Sequence, residues 1–399
     1  MPQPARLVER TVHPAAVTAF WFGIQVVWGA ILAVALQSRV SEFAPFATIE
    51  TYARVAAIGA SVAMIVQLGV GPLCDRLRSE GRDRRAFLAA GLVVAVPSLW
   101  MFYAASSITS LTLSYYALQV GMNVAIGPYQ AVISDYIVPE GRGRASAWMV
   151  VFRALGNGCG LLVAGFVGDV RAVALALAAA LAAGYFVTIV PVLRVRPRPV
   201  GGMTLDVDAR FRTLFASRGF INLAVYTFLS VLFPFAHEAM RIAQPRTPIA
   251  VCFAAFTLCG VVGAAAAARP ADRCDKRLVL TIAGMVIALC LAVLAAASDP
   301  AIAYVASCVA GCAWGAFFTA EWALATVVFS EDAMASAMAI WNVAATVPQI
   351  VAPLITVPLV DAFDARAQGL GPRGAIVLTI AELLLGTLWL RRLPPDRSA

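Results

Sequence analysis

Apolar runs of about twenty residues, separated by short polar loops, follow one another along almost the whole chain. An α-helix needs about 20 residues to cross roughly 30 Å of hydrocarbon, and about twelve runs have that length. They fall near residues 15–37, 50–72, 86–104, 108–133, 145–168, 171–193, 219–237, 248–268, 278–297, 301–328, 334–360 and 374–391. None alternates with period two, and backbone groups in lipid must pair inside a helix or a closed barrel. The pattern therefore predicts helices. The first run is too long for a signal peptide and has no small-residue cleavage site after a short apolar core, so it is expected to remain as a span.

Composition sharpens the picture. The chain is 61% hydrophobic and 13% charged, against about 25% charged for soluble domains. The expected fold class is an all-α membrane protein of about twelve transmembrane helices, integral to a bacterial inner membrane and surrounded by its lipid bilayer. The formal charge of +8 does not mark a nucleic-acid surface, because the basic residues are sorted by loop rather than gathered in a patch. Five arginines lie in 76–85, six in 194–218 and four basic residues in 269–277, while the alternate loops hold isolated ones such as Arg39, Arg171 and Arg241. By the positive-inside rule both termini are expected in the cytoplasm. Six of the eight cysteines fall in spans, and Cys74 and Cys274 fall at arginine-rich loops, which argues against an exported disulfide framework. With His13 and His237 the only histidines, a histidine-based metal or hydrolytic centre is not expected. The site is read as needing no metal and no cofactor.

The longest polar stretch divides six spans from six, giving an N-terminal six-helix bundle over 1–193, a cytoplasmic linker over 194–218 and a C-terminal six-helix bundle over 219–399. Polar landmarks recur in matching loops. Asp75-Arg76 with Arg84-Arg85 is echoed by Asp272-Arg273 with Lys276-Arg277, and Pro139-Glu140 before Ala145-Ser146-Ala147 by Ser330-Glu331 before Ala335-Ser336-Ala337. Such a parallel repeat of two bundles suits alternating access about a midplane site. Two halves in one chain remove any need for a dimer, so a monomer is expected.

Ionisable residues inside a span are costly and usually face a cavity or a partner. Arg54, Arg153, Glu321 and Glu382 are the four in question. Arg54 can pair with Glu50 one turn away or snorkel, and Glu382 lies in the last span. Arg153 and Glu321 lie at similar depth, one in each half. The expectation is that they approach to close an inner gate, and that Glu321 takes a proton when the pair opens. The alternative is a static pairing of each within its own half, with Gln130 or Asn157. Candidate substrate contacts are Gln25, Trp28, Gln37, Gln67, Asn123, Tyr129, Gln130, Asn157, Trp314, Trp341, Asn342 and Gln349. Amides beside aromatic faces suit a sugar, whose hydroxyls need donors and acceptors while its ring face is apolar. The same amides can instead glue helices together. In the loop after the second span, Gly71 would permit close helix approach. Asp75 can accept bonds from helix-terminus amides or pair with Arg76 or a neighbouring arginine, and the arginines around Gly81, Arg76, Arg82, Arg84 and Arg85, would form an exposed cationic latch. Those arginines can also serve topology alone.

That loop resembles the signature loop of the major facilitator superfamily of secondary transporters. Among the families of that superfamily, Phe22-Gly23-Ile24-Gln25-Val26-Val27-Trp28-Gly29 with Leu36-Gln37 in the first run is similar to the first helix of plant-type sucrose transporters and their bacterial relatives. So is Asn123-Val124-Ala125-Ile126-Gly127-Pro128-Tyr129-Gln130-Ala131 leading to Asp135 and to Pro139-Glu140-Gly141-Arg142-Gly143. The wider glycoside-pentoside-hexuronide cation symporters also place an arginine early in span 5, where Arg153 stands. There are departures: Asp83 interrupts the arginine run, Ala86 stands where a proline is usual, and Asn123 stands where sodium-coupled members keep an aspartate. The resemblance therefore implies a proton rather than sodium as coupling ion.

These readings lead to a secondary transporter of a small-molecule substrate, a sugar or glycoside favoured, coupled to protons. The competing readings are a proton-driven efflux antiporter for drugs or a secreted metabolite, and a non-transporting membrane sensor. No nucleophile-base pair, metal-ligand cluster or phosphate-cradling glycine loop suggests an enzyme.

Overall fold

The computed structural model describes residues 12–44, 48–80, 82–194, 207–242, 246–367 and 369–394. Twelve long helical segments follow in chain order. They are α1 over 14–43, α2 Thr48–Ser79, α3 Arg85–Tyr103, α4 Ile108–Tyr129, α5 Arg142–Phe166, α6 Val170–Val192, α7 Ala209–Pro234, α8 Arg246–Arg273, α9 Lys276–Ala296, α10 Pro300–Val328, α11 Met334–Asp364 and α12 Leu370–Trp389. No strand occurs among the described residues. Ten of these helices are long and apolar enough to cross a membrane. The other two fall short for local reasons. In α1 the apolar helix Pro14–Ala30 gives way to a π turn over Ile31–Ala35, and α4 carries Ser110, Thr112, Ser114, Gln119 and Asn123. A second π turn, Phe235–Ala239, ends α7 directly after Pro234, so the first long helix of each half loosens in this way. Side-chain caps set the helix starts. Ser107 and Ser110 form a capping box on α4, and Asp169, Asp208, Asp275 and Asp299 accept backbone N–H bonds at the starts of α6, α7, α9 and α10, which satisfies donors a helix leaves open.

One boundary differs from the expectation. Helix α7 begins at Ala209, so 209–218 are helical rather than linker, and Arg218 is a buried residue of that helix. Asp208 supplies the cap, accepting from the Phe211 N–H at 2.7 Å. Phe211, Leu214 and Ile221 are buried, recurring on one face at helical spacing.

Within the halves, α1 packs on α5, α3 on α4, α7 on α12 and α8 on α10. The closest of these is α8 against α10: a β-carbon on Gly315 would stand 1.9 Å from the Gly260 carbonyl oxygen, so backbones touch as small-residue contacts in membranes allow. The halves meet through α2 on α11 and through α5 on α8 and α10. Large apolar side chains such as Phe166, Val93 and Leu354 face outward and exposed, a surface that suits hydrocarbon and not water.

Candidate functional site

At the arginine-rich end the two halves are joined by a pair of related contacts. Asp75, near the end of α2, accepts from the Ala335 N–H at 3.3 Å, the Ser336 N–H at 2.7 Å and the Ser336 hydroxyl at 2.7 Å. Those are first-turn amides of α11, open donors at the positive end of a helix dipole. In the other half Asp272, near the end of α8, accepts from the Gly143 N–H at 2.6 Å in the first turn of α5 and pairs with Arg144 at 3.3 Å. Arg142 spans the same seam, donating to the Thr326 carbonyl at 2.5 Å. Gly71 permits the approach: a β-carbon there would lie 2.9 Å from the Ala335 carbonyl oxygen.

The arginines of this loop are not one exposed latch. Arg84 is buried and pairs with Asp75 at 2.8 Å and with Asp135 at 2.9 Å, while Arg78 pairs with Asp135 at 3.1 Å. Burial pushes the Asp135 carboxyl up from its ordinary value, against the opposing pull of Arg84 and Arg78. Arg76, by contrast, is exposed and pairs with Glu80 at 3.5 Å, and Arg85 pairs with Asp83. Asp75 thus takes Arg84 and not Arg76 as its partner. Arg82 is exposed, and Gly81 lies outside the described residues.

Deeper in the seam is a second tier made of amides. Asn342 of α11 donates to Gln67 of α2 at 2.6 Å and to Gln130 at 2.9 Å. Gln67 donates to Asn123 at 2.6 Å, and Asn123 donates to Gln119. Four candidate substrate contacts are therefore linked in one chain of amides across helices: Gln67 bonds Asn123 and Asn342, and Asn342 bonds Gln130. Tyr129 is also structural, since its hydroxyl donates to the Val17 carbonyl at 2.9 Å and its ring packs on Phe20 and Trp21. Gln349 donates to the Tyr226 hydroxyl within the second half. The side chain of Gln37 is outside the described residues.

The expected pairing of Arg153 with Glu321 is replaced by another. Glu321 is 3% exposed and pairs at 2.9 Å with Arg218, itself 6% exposed. Both belong to the second half, on α10 and α7. Trp341 is fully buried and lies under the Arg218 guanidinium, 3.7 Å from its carbon to the ring centroid, with Trp322 at 5.9 Å. Trp341 therefore holds the ion pair and does not line a cavity. At 1.5 Å per residue Glu321 is about 10 Å from the end of α10 and Arg218 about 13 Å from the start of α7.

Arg153 of α5 instead reaches the seam between the halves. Its guanidinium sits 4.7 Å from the Trp21 ring of α1 and 5.1 Å from the Phe318 ring of α10. Among the described residues it has no carboxylate within 4 Å and no hydrogen-bond partner. Trp314, Phe318 and Trp322 form an aromatic stripe along α10, with Trp314 to Phe318 at 6.2 Å and Phe318 to Trp322 at 6.0 Å. Trp314 also lines an apolar cavity of about 280 Å³ between α7, α8, α9, α10 and α12. That cavity runs from Met240 and Pro300, at the end opposite the arginine-rich one, inward to Ile221 and Thr379. Of the other candidates, Gln25 and Trp28 are half-buried on α1 and Asn157 is exposed on α5.

Arg218 was outside the candidate set because its polar neighbours read as linker. The helical spacing of Phe211, Leu214 and Arg218 behind the Asp208 cap was the signal for it.

Comparison with known proteins bears on this arrangement. The family model of the Major Facilitator Superfamily matches residues 15–353 and 219–399. No curated protein matches the chain. Solved structures do resemble it. A bacterial homologue of the iron transporter ferroportin, in an outward-facing state with soaked iron, has a TM-score of 0.75 at 13% identity, covering 95% of this chain and 98% of its own. A second structure, also of a bacterial homologue of ferroportin in an outward-facing state, gives 0.74 at 11% identity, covering 96% and 99%. The human organic anion transporter MFSD10 (TETRAN) gives 0.71 at 13% identity, covering 97% and 100%. At such identities the likeness is one of fold.

Proposed function

The chain belongs to the major facilitator superfamily, and from that premise we propose that it is a proton-coupled secondary transporter of a small polar solute, working by alternating access. The observation that carries this reading is the buried Glu321–Arg218 pair at 2.9 Å, stacked on Trp341 beneath the seam between the halves. A carboxylate that loses its cationic partner in a low-dielectric site gains proton affinity. Solute entry or helix movement that separates the pair therefore drives Glu321 to take a proton, and re-forming the pair releases it. With the arginine-rich end taken as cytoplasmic, the Asp75 and Asp272 contacts and the amide tier close the cytoplasmic side, an outward-facing arrangement.

The sugar reading is weakened at Asn123, Gln130 and Asn342, which bond to one another or to the neighbouring amides of Gln67 and Gln119. Gln25, Trp28 and Trp314 remain half-buried, and the first-half resemblance to sugar symporters rests on sequence motifs. A second reading, proton-driven efflux, is favoured by the apolar cavity of the second half. The similar structures are named for different cargoes, an iron transporter's homologue and an organic anion transporter, and at 13% identity neither name decides the solute.

The test is Glu321→Gln in proteoliposomes. It is expected to abolish accumulation driven by a pH gradient while keeping solute exchange, since Gln cannot carry the proton but still accepts from Arg218. Gradient-driven accumulation at the wild-type level would remove Glu321 from the coupling.

A further inference from the structure

Three ionised groups come together where α5, α7 and α10 meet, and they do not balance. Arg153 and Arg218 face a single carboxylate, Glu321, which is bonded to Arg218. The charge of Arg153 acts on both, yet among the described residues its guanidinium has no hydrogen bond and no ion pair, and it rests against the Trp21 and Phe318 rings. A cation in the membrane without a partner is costly, and an arginine presents five N–H donors in a fork that matches carboxylate or phosphate oxygens. The nitrogens of Arg153 are absent from the unpartnered polar atoms that are sealed from solvent. They are open to an arriving group.

A second observation points along the same line. From Arg153 the aromatic stripe continues through Phe318, 5.1 Å from the guanidinium, to Trp314, 6.2 Å further, and Trp314 lines the 280 Å³ apolar cavity. The lining there includes Phe228, Phe253, Phe256 and Leu291, with Ser307 and Thr379 among its few polar members. A fixed positive charge thus stands at one end of a row of aromatic rings, Phe318 and Trp314, that reaches the cavity wall at Trp314.

We propose that the substrate is an amphipathic organic anion, its acidic group bound by Arg153 and its apolar body lying along Phe318 and Trp314 into the cavity of the second half. This rests on the reading of the chain as a proton-coupled transporter and replaces its small polar solute with an amphipathic anion. The acid supplies the missing negative charge, the body displaces water from apolar walls, and Arg218–Glu321 stays free for the proton.

The test uses the purified full chain and three probes of equal body and different charge: 4-phenylbutyrate, 4-phenylbutanol and 4-phenylbutylamine, with acetate as an anion lacking the body. Binding is read by tryptophan fluorescence and by thermal protection. The expected result is that phenylbutyrate binds at least tenfold tighter than the alcohol, the amine and acetate. In Arg153→Gln the advantage over the alcohol should fall to within twofold with the affinity for the alcohol unchanged, and Arg153→Lys should keep part of it. Ala310→Trp, which fills the cavity, should weaken phenylbutyrate and leave acetate unaffected. Phenylbutyrate binding no tighter than the alcohol in the wild-type chain overturns the proposal, and so does an undiminished preference in a folded Arg153→Gln. Failure of the transport reading looks different. An Arg153-dependent preference for the anion without gradient-driven uptake of labelled phenylbutyrate would sink proton coupling and leave the site standing. Gradient-driven uptake of a neutral hexose unaffected by Arg153→Gln would do the reverse.

Discussion

Replacing Asp75 by Asn removes one charge and one acceptor from the contact that ties α2 to the start of α11. In the closed seam the carboxylate receives two backbone N–H bonds and one hydroxyl, at 2.7 to 3.3 Å, besides its pair with Arg84 at 2.8 Å. Hydrogen bonds to a charged group contribute about 1.5–3 kcal/mol each, and a negative charge at a helix N-terminus up to about 2 kcal/mol in a partly buried site. Asn keeps one oxygen able to accept from the Ser336 N–H, and Arg84 keeps Asp135. The net loss that falls on the closed seam alone is therefore about 2 kcal/mol, which is about thirtyfold in the closed-to-open ratio. Spin labels on the exposed native Cys274 and on Arg76→Cys, also exposed, span the seam in a chain whose other cysteines are replaced. Their distance distribution should acquire a longer component in Asp75→Asn that the wild type lacks. A distribution identical to wild type, in a variant of normal or reduced thermal stability, would refute the argument: the carboxylate would then serve its own half and not the seam.

Two further substitutions probe the same geometry. Gly71→Val places methyl groups where even a β-carbon would be 2.9 Å from the Ala335 carbonyl and 3.0 Å from the Ala339 side chain, so the same label pair should report a wider seam, and an unchanged distance would show that the close approach is not needed. Arg218→Met leaves Glu321 buried without its cation; breaking such a pair costs about 3–5 kcal/mol, read as a clear fall in Tm, and adding Glu321→Gln should recover most of that loss, with no recovery counting against the pair.

Much of the fold could be read because lipid imposes it: a span must be long, apolar and helical, and most of the charges fall in loops. The doubled aspartate landmarks at Asp75 and Asp272 were visible for the same reason, and both end on helix N-termini of the opposite half. The ionised centre was harder. Glu321 and Arg153 stood out as charges within apolar runs, but Arg218 lies in the first turns of α7, where Arg210, Arg212 and Ser217 hide the helical face in a polar composition. A sequence also does not say where an amide turns. Asn123, Gln130 and Asn342 have the chemistry of sugar contacts, and only packing reveals that each faces another amide. Trp341 is similar: an aromatic in a span suits a stacking platform, and its buried place against Arg218 follows from three-dimensional neighbours contributed by α7 and α10.

The central claim is that solute movement through this chain is tied to proton movement. The most direct measurement is in proteoliposomes carrying the wild-type chain and a pH indicator in the lumen, challenged in turn with labelled hexoses, glycosides and 4-phenylbutyrate, with a pH gradient imposed and then collapsed. At least one solute should accumulate above its equilibrium level only while the gradient lasts, and its addition should move protons in step. Solute that merely equilibrates, with the same course in the presence and absence of the gradient and no proton signal, would contradict it.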